Sequence, residues 1–229
     1  MRREIMLTKE LAKRLQSKFP NSKIYANKSP SRSSSLKKLW FERFHEKCPP
    51  LQPEMDMIIY EPSPQPKIRA YEIKYFQKVD GAHALNQSFY KGIEQASALI
   101  QWGFDNVALW QLFDETVTDD DLRNYGCRTW RYILGILQLP IGYTMLQVKG
   151  RNLDTMEFQV IKSTDWDKKP APIVRLRNID DPEFPFAHTP LNPLIEKEDL
   201  LLLRTVKEEV HFLRNFLLEW LPKQSQGLT

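Results

Sequence analysis

Three residues in the first third of the chain have the types and spacing for hydrolytic chemistry: Asp56, Glu72 and Lys74. Asp56 leads from Pro53-Glu54-Met55 into Met57-Ile58-Ile59-Tyr60, and Glu72 and Lys74 sit inside IRAYEIKYF (68–76). Both stretches are apolar, β-branched and aromatic, the composition of strands. A charge in such a strand needs a partner or a task, because burying it unpaired is costly. Residues two apart on a strand share a face, so Glu72 and Lys74 project together. If the Pro-rich segment EPSPQPK (61–67) joins the two strands as a hairpin, Asp56 reaches the same spot. Glu54 shares that face, but Asp56 is the better match, because Met55, Met57 and Ile59 then form the opposite, core-facing side. Two carboxylates beside an ammonium suit a hard divalent cation and an attacking water. The competing reading is a same-face ion pair between Glu72 and Lys74 on an edge strand, with Asp56 incidental.

The elements that must position these residues follow from periodicity. LTKELAKRLQSKF (7–19) is apolar at 7, 11, 15 and 19, which predicts a helix from Leu7 or Thr8 to Pro20. SKIYAN (22–27) reads as a strand, KSPSRSS (28–34) as a polar loop, and LKKLWFERFHEK (36–47) as a helix with Leu36, Leu39, Trp40 and Phe44 on its apolar side. After the two site strands and a turn at VDGAH (79–83), the pattern of Leu85, Phe89, Ile93, Ala96, Ile100 and Phe104 predicts a long helix over 84–104. NVALWQLF (106–113) is a strand, and the acidic run DETVTDDD (114–121) reads as a solvated loop without calcium-loop spacing. RTWRYILGILQLPIGYTMLQV (128–148) fits either type, MEFQVIK (156–162) and IVRLR (173–177) fit strands, and 179–193 is Pro-rich and irregular. A final helix carries Leu203, Val206, Val210, Leu213, Leu217 and Trp220 on one face. The order helix, strand, insert, strand, strand, helix, strand implies an α/β core with a mixed central sheet flanked by helices. The expected units are a core at 1–113, with an insert at about 28–52, and an α+β extension at 114–229 packed on it and ending in the long helix.

Composition narrows the chemistry. The 229 residues are 41% apolar and 27% charged, enough for a substantial core. No apolar run approaches the roughly 20 residues of a membrane span, and MRREIMLTKELAKRL lacks a signal-peptide apolar core. Cys48 and Cys127 form no ligand spacing, which implies a reduced, cytoplasmic setting and excludes a four-cysteine iron–sulfur cluster. His45, His83, His188 and His211 are scattered, no Ser/His/Asp elbow occurs, and the 8 glycines make no phosphate loop, which excludes ATP-driven chemistry. Residues 1–50 hold 13 Lys/Arg against 4 Asp/Glu, while the remainder holds 20 against 25. A basic end suits a polyanion, or is simply a solvated helical surface.

An acid, then Glu-x-Lys on the next strand, then a helix and a strand resembles the PD-(D/E)xK nuclease superfamily, with its restriction endonuclease-like core. The resemblance covers about residues 7–113 and rests on Asp56, Glu72, Lys74 and the order of elements; the family's Pro-Asp is spread here to Pro-Glu-Met-Asp. It implies that Asp56, Glu72 and the Ile73 carbonyl hold Mg²⁺ or Mn²⁺, and that Lys74 orients or deprotonates the attacking water. The family's first-helix glutamate is best matched by Glu10, with Glu42 and Glu46 as rivals. Gln95 resembles the glutamine that RecB-like members place after the lysine, although Leu99 stands where their tyrosine would be. Lys91 and Gln95, with Arg32, Lys37 and Lys38 of the basic segment, are the candidate substrate contacts. The implied activity is Mg²⁺-dependent cleavage of DNA, with no membrane partner and with a homodimer as one way to address both strands. The alternatives are a non-catalytic nucleic-acid-binding or scaffold protein on the same fold and an RNA-directed nuclease.

Overall fold

The structure, a computed structural model, describes residues 2–62, 64–79, 84–150, 152–163, 168, 171–179, 190–196 and 204–228. The expected turn at 79–83 and the Pro-rich stretch 179–193 lie largely outside these residues, and His83, His188 and Leu203 lie wholly outside them. Leu7, Leu11 and Leu15 recur at helical spacing on α1 (Arg2–Lys18) and are fully buried. The helix starts more than a turn before the expected Leu7, so Glu4 belongs to its first turn. The chain continues through β1 (Lys23–Lys28), α2 (Ser34–Phe44), β2 (Met55–Glu61), β3 (Lys67–Phe76), α3 (Ile93–Gln101), β4 (Asn106–Asp114) and α4 (Asp119–Trp130). β5 (Gly142–Lys149), β6 (Glu157–Ser163), β7 (Ile173–Asn178), α5 (Pro193–Glu196) and α6 (Arg204–Trp220) complete it.

The seven strands lie side by side in chain order in one mixed sheet. β3, β4 and β5 are parallel, and the pairs outside them are antiparallel. Parallel neighbours require a crossover, which α3 and α4 supply. Helices cover the central strands on both faces, so β4 reads as an almost unbroken apolar run with all but its last residue buried. On one face α1 packs against Met57, Ile59, Tyr71, Ile73 and Trp110. On the other, Trp40 of α2, Leu99 of α3 and Leu217 of α6 join Ile58, Ala70 and Leu109. Alternation therefore sends Glu72 and Lys74 to the α3 face, with Ala70 and Phe76. Among the described residues no helix is long and apolar enough to cross a membrane.

Several expectations are corrected. The sheet does not end at residue 113: β5 pairs with β4 from Ala108↔Gly142 to Asp114↔Val148, so the 114–229 stretch adds strands to the same sheet instead of packing on it as an extension. The undecided stretch 128–148 is partly helix and partly strand, with a π-helical turn at 131–136 between them. The acidic run is not a loop throughout, because Thr118 and Asp121 form a reciprocal cap that starts α4. Leu39 is exposed on α2, which buries Leu36 and Trp40.

The long helix expected over 84–104 is cut to α3 for a tertiary reason. Gln111 of β4 donates to the Phe89 carbonyl at 2.8 Å, and the Thr129 hydroxyl of α4 donates to it at 2.9 Å. Gly92 then takes a left-handed conformation, φ 93°, immediately before the helix. Gln111 is fully buried and its amide oxygen accepts from Tyr143 Oη at 2.7 Å, so this one side chain ties β4 and β5 to the segment that enters α3. Gln111→Ala strips Tyr143 of its acceptor and should lower stability by about 2–3 kcal/mol, measured by chemical denaturation.

Candidate functional site

The site forms where β2 leaves β3. The β2–β3 ladder pairs Met57 with Tyr71, so the next β3 amides on that side have no strand partner. Carboxylates replace the strand. Asp56 Oδ2 accepts from the Ile73 amide at 2.7 Å, and Glu4 Oε2 accepts from the Tyr75 amide at 3.0 Å. The Tyr75 carbonyl accepts from Gln87 Nε2 at 2.7 Å. Along an antiparallel strand a residue's amide and carbonyl share an edge, so the Ile73 carbonyl lies on the Asp56 side.

Lys74 Nζ lies 2.5 Å from Glu72 Oε1, 3.6 Å from Asp56 Oδ2 and 3.7 Å from Glu4 Oε1. The Glu72 side chain is 0% exposed and that of Lys74 7%. The short contact to Lys74 is an ion pair at Oε1, and among the described residues Glu72 Oε2 has no hydrogen-bond partner. Burial, and then the charge of Asp56, push the Glu72 carboxyl up to about 8 against the pull of Lys74. Burial also raises Asp56, opposed by Lys74 and by the Ile73 amide. Burial alone would lower Lys74, but Asp56, Glu72 and Glu4 together hold it well above the usual lysine value. Lys74 is therefore a firmly held ammonium, and Glu72 and Asp56 both ionise at a cost.

Gly92 completes the floor. A Cβ there would meet Leu109 Cδ1 at 2.8 Å, Lys74 Cγ at 2.9 Å and Glu72 Cγ at 3.4 Å. With φ at 93°, only glycine both fits the space and adopts the backbone without strain. The cluster opens into a cleft of about 760 Å³ lined by Glu4, Asp56 and Lys74 at its base and by Asn27, Arg32, Lys91 and Gln95 toward its rim.

The structure thus brings Asp56, Glu72 and Lys74 together, with Lys91, Gln95 and Arg32 on the same cleft. Glu10 is corrected: it faces Arg14 at 2.7 Å, and Glu4 occupies the first-helix position beside Lys74. Glu4 falls three, seven and eleven residues before Leu7, Leu11 and Leu15, so extending the buried stripe back one turn would have found it. Glu42 pairs with Lys38 across exposed α2 at 3.9 Å, and neither it nor Glu46 is among the cleft-lining residues. Lys37 and Lys38 are exposed on α2 and likewise do not line the cleft. Arg32 ion-pairs with Glu54, which takes Glu54 away from Lys74. Gly92 and Asn27, the latter at φ 51°, carried no chemical signal in the sequence. Asp56, Glu72 and Glu4 are hard oxygen donors of the kind that hold Mg²⁺ or Mn²⁺. Among the described residues, however, no three His, Cys, Asp or Glu side chains are arranged as a ready metal cage, and the position between these carboxylates is taken by Lys74 Nζ. Comparison with family models, curated proteins and solved structures finds no significant match to this chain.

Two outcomes follow from this geometry. Glu72 has its folded pKa raised above the unfolded value, so its ionised form opposes folding. Metal-free protein should lose stability as pH rises from about 4.5 toward about 8. Glu72→Gln removes that titration and should gain on wild type across the window, by at most about 1.4 kcal/mol per pH unit, read from denaturation curves at pH steps in EDTA. Gly92→Ala should cost about 1–3 kcal/mol in the same assay, because it forces a positive φ on alanine and crowds the stems of Lys74 and Glu72.

Proposed function

We propose that this chain is a metal-dependent nuclease of the PD-(D/E)xK type that hydrolyses phosphodiester bonds in DNA. The observation that carries the reading is the convergence of Asp56, Glu72, Glu4 and Lys74 at the point where β2 and β3 part, at the base of an open cleft. Buried charge clusters are poor stabilisers, so four ionisable groups collected at one concave place favour a chemical task over a structural one. The donor set fits Mg²⁺ or Mn²⁺ in one specific respect: among the described residues the fully buried Glu72 carboxylate has the Lys74 ammonium at Oε1 and no hydrogen-bond partner at Oε2, an oxygen that a cation would satisfy. Asp56 and Glu72 are the assigned ligands, with Glu4 and the Ile73 carbonyl beside them. A bound divalent ion supplies a polarised phosphate and a water acidic enough to attack it.

The remaining roles belong to the chain itself. Lys74, held by three carboxylates, keeps its proton and donates to the phosphate oxygen that gains charge in the transition state. Its compact ammonium serves as a point charge there. Glu4 and Asp56 are fixed by the Ile73 and Tyr75 amides, so both carboxylates are oriented before substrate arrives. Lys91 and Gln95 flank the cleft where a phosphate backbone would lie. One observation favours a non-catalytic binder instead: an ammonium already fills the place a cation would take.

A cleavage assay on single-stranded, duplex and branched DNA separates the two. Cleavage should require Mg²⁺ or Mn²⁺, with Ca²⁺ supporting binding and little cleavage. Asp56→Ala should abolish activity and Mn²⁺ binding by calorimetry. Lys74→Ala should lower kcat by about two to four orders of magnitude with a smaller change in KM. Glu4→Gln should slow turnover and Glu10→Gln should not. Undiminished cleavage in EDTA would overturn the metal-dependent site, and no cleavage by wild type in any metal would favour the binder.

A further inference from the structure

A second set of side chains leads away from the cleft. Phe89, Tyr90 and Lys91 follow one another in the segment pinned to β4 and α4 by Gln111 and Thr129. Tyr90 is 55% exposed, yet its ring is held edge-on against Phe89 at 5.3 Å. Phe89 also meets Tyr132 edge-on at 6.2 Å, and the Arg128 guanidinium lies over the Phe89 ring at 6.0 Å. Tyr90, Lys91, Tyr132 and Leu137 line a groove of about 270 Å³. Lys91 lines the Lys74 cleft as well, so this side chain stands where groove and cleft adjoin. Arg128 also borders a hollow of about 410 Å³, whose described lining includes Arg123, Arg131 and Lys168 together with Asp120. Arg123 is held there by Asp120 at 2.6 Å and by the Ala171 carbonyl at 3.1 Å.

We infer that the succession Lys91, Tyr90, Arg128, Arg131 is a track that guides one unpaired strand of DNA between the cleft and the arginine hollow of α4. Cations on either side of an aromatic face, Lys91 beside Tyr90 and Arg128 over Phe89, match a phosphate backbone with a base between successive phosphates. An exposed aromatic face binds an unpaired base, because in a duplex the base faces are stacked on one another. The parts are preorganised: Phe89 fixes the Tyr90 ring, and the π-helical turn, closed by the Leu137 amide donating to the Tyr132 carbonyl at 2.9 Å, turns Tyr132 and Leu137 toward the groove. Glu94 lines the groove and opposes a phosphate, which makes it a built-in check on the assignment. The inference deepens the nuclease reading and rests on it for the end of the track at the cleft, while strand binding itself needs neither metal nor cleavage.

The test is fluorescence anisotropy of a labelled oligothymidylate of about 15 nucleotides in EDTA, with a duplex of equal length as the second probe. Wild type should prefer the single strand. Tyr90→Ala should weaken single-strand binding by about tenfold and leave duplex binding nearly unchanged. Arg128→Ala combined with Arg131→Ala should reduce the slope of log affinity against log salt by about 1.4. Glu94→Gln should tighten binding. If the Tyr90 and arginine variants, shown to be folded by circular dichroism, bind the strand as wild type does, or if the duplex is preferred, the track is wrong even if the enzyme cleaves. If strand binding depends on Tyr90 but no metal supports cleavage, the track stands and the nuclease reading falls.

Discussion

Among the described residues no strand lies beside the β2-side edge of β3 from Ile73 onward, and its amides turn to side chains for acceptors. Asp56 takes the Ile73 amide and Glu4 takes that of Tyr75, while Gln87 supplies a donor to the Tyr75 carbonyl. Backbone groups that are half-buried must be paired, and here the pairing sets the site. The carboxylates that finish the ladder are the ones that surround Lys74, so their positions are fixed by backbone hydrogen bonds as well as by charge. The hairpin need only separate after Tyr71 for a notch and its acids to form together.

That arrangement is costly without a cation. Asp56, Glu72 and Glu4 approach one ammonium, and among the described residues the most buried of them, Glu72, has no hydrogen-bond partner at Oε2. A single positive charge does not offset the desolvation of several carboxylates, which is why Glu72 and Asp56 both rise above ordinary carboxylate values. The rest of the fold holds the cluster in place. Gly92 brings backbone against the stems of Glu72 and Lys74 where any side chain would collide, and Gln111 anchors the segment that delivers Gly92. Local rules are broken at Gly92 and Glu72 and compensated by the β4–α4 layer, a pattern typical of places that do chemistry.

The strands after β4 matter to the site although they lie outside its motif. β5 holds Tyr143, which secures Gln111, and α4 holds Thr129, which secures Phe89. The acidic run caps α4, where negative charge complements the helix N-terminus. Arg128 near the end of α4, and Arg131 at the start of the π-helical turn that follows, line the hollow. The basic character of residues 1–50 follows a different course: Lys37 and Lys38 point to solvent from α2, and Arg32 is joined to Glu54.

The sequence alone determined the α/β class, the strands carrying Asp56, Glu72 and Lys74, and their common face, because period-2 alternation and charged residues in apolar runs are local signals. It also marked Lys91, Gln95 and Arg32, which line the cleft. A first helix read from Leu7 offers Glu10 as its acid; the buried stripe runs one turn further back, to Glu4. Only the tertiary structure decided the rest. The break at Gly92 depends on a carbonyl captured by Gln111 and Thr129 from strand and helix neighbours distant in sequence. The continuation of the sheet through β7 depends on strand pairing across a helical crossover. The line from Lys91 to Arg131 depends on a loop and a helix meeting around the Phe89 ring. Each is a contact between segments whose individual patterns carry no information about one another, which is why periodicity found the strands of the site and folding alone assembled its surroundings.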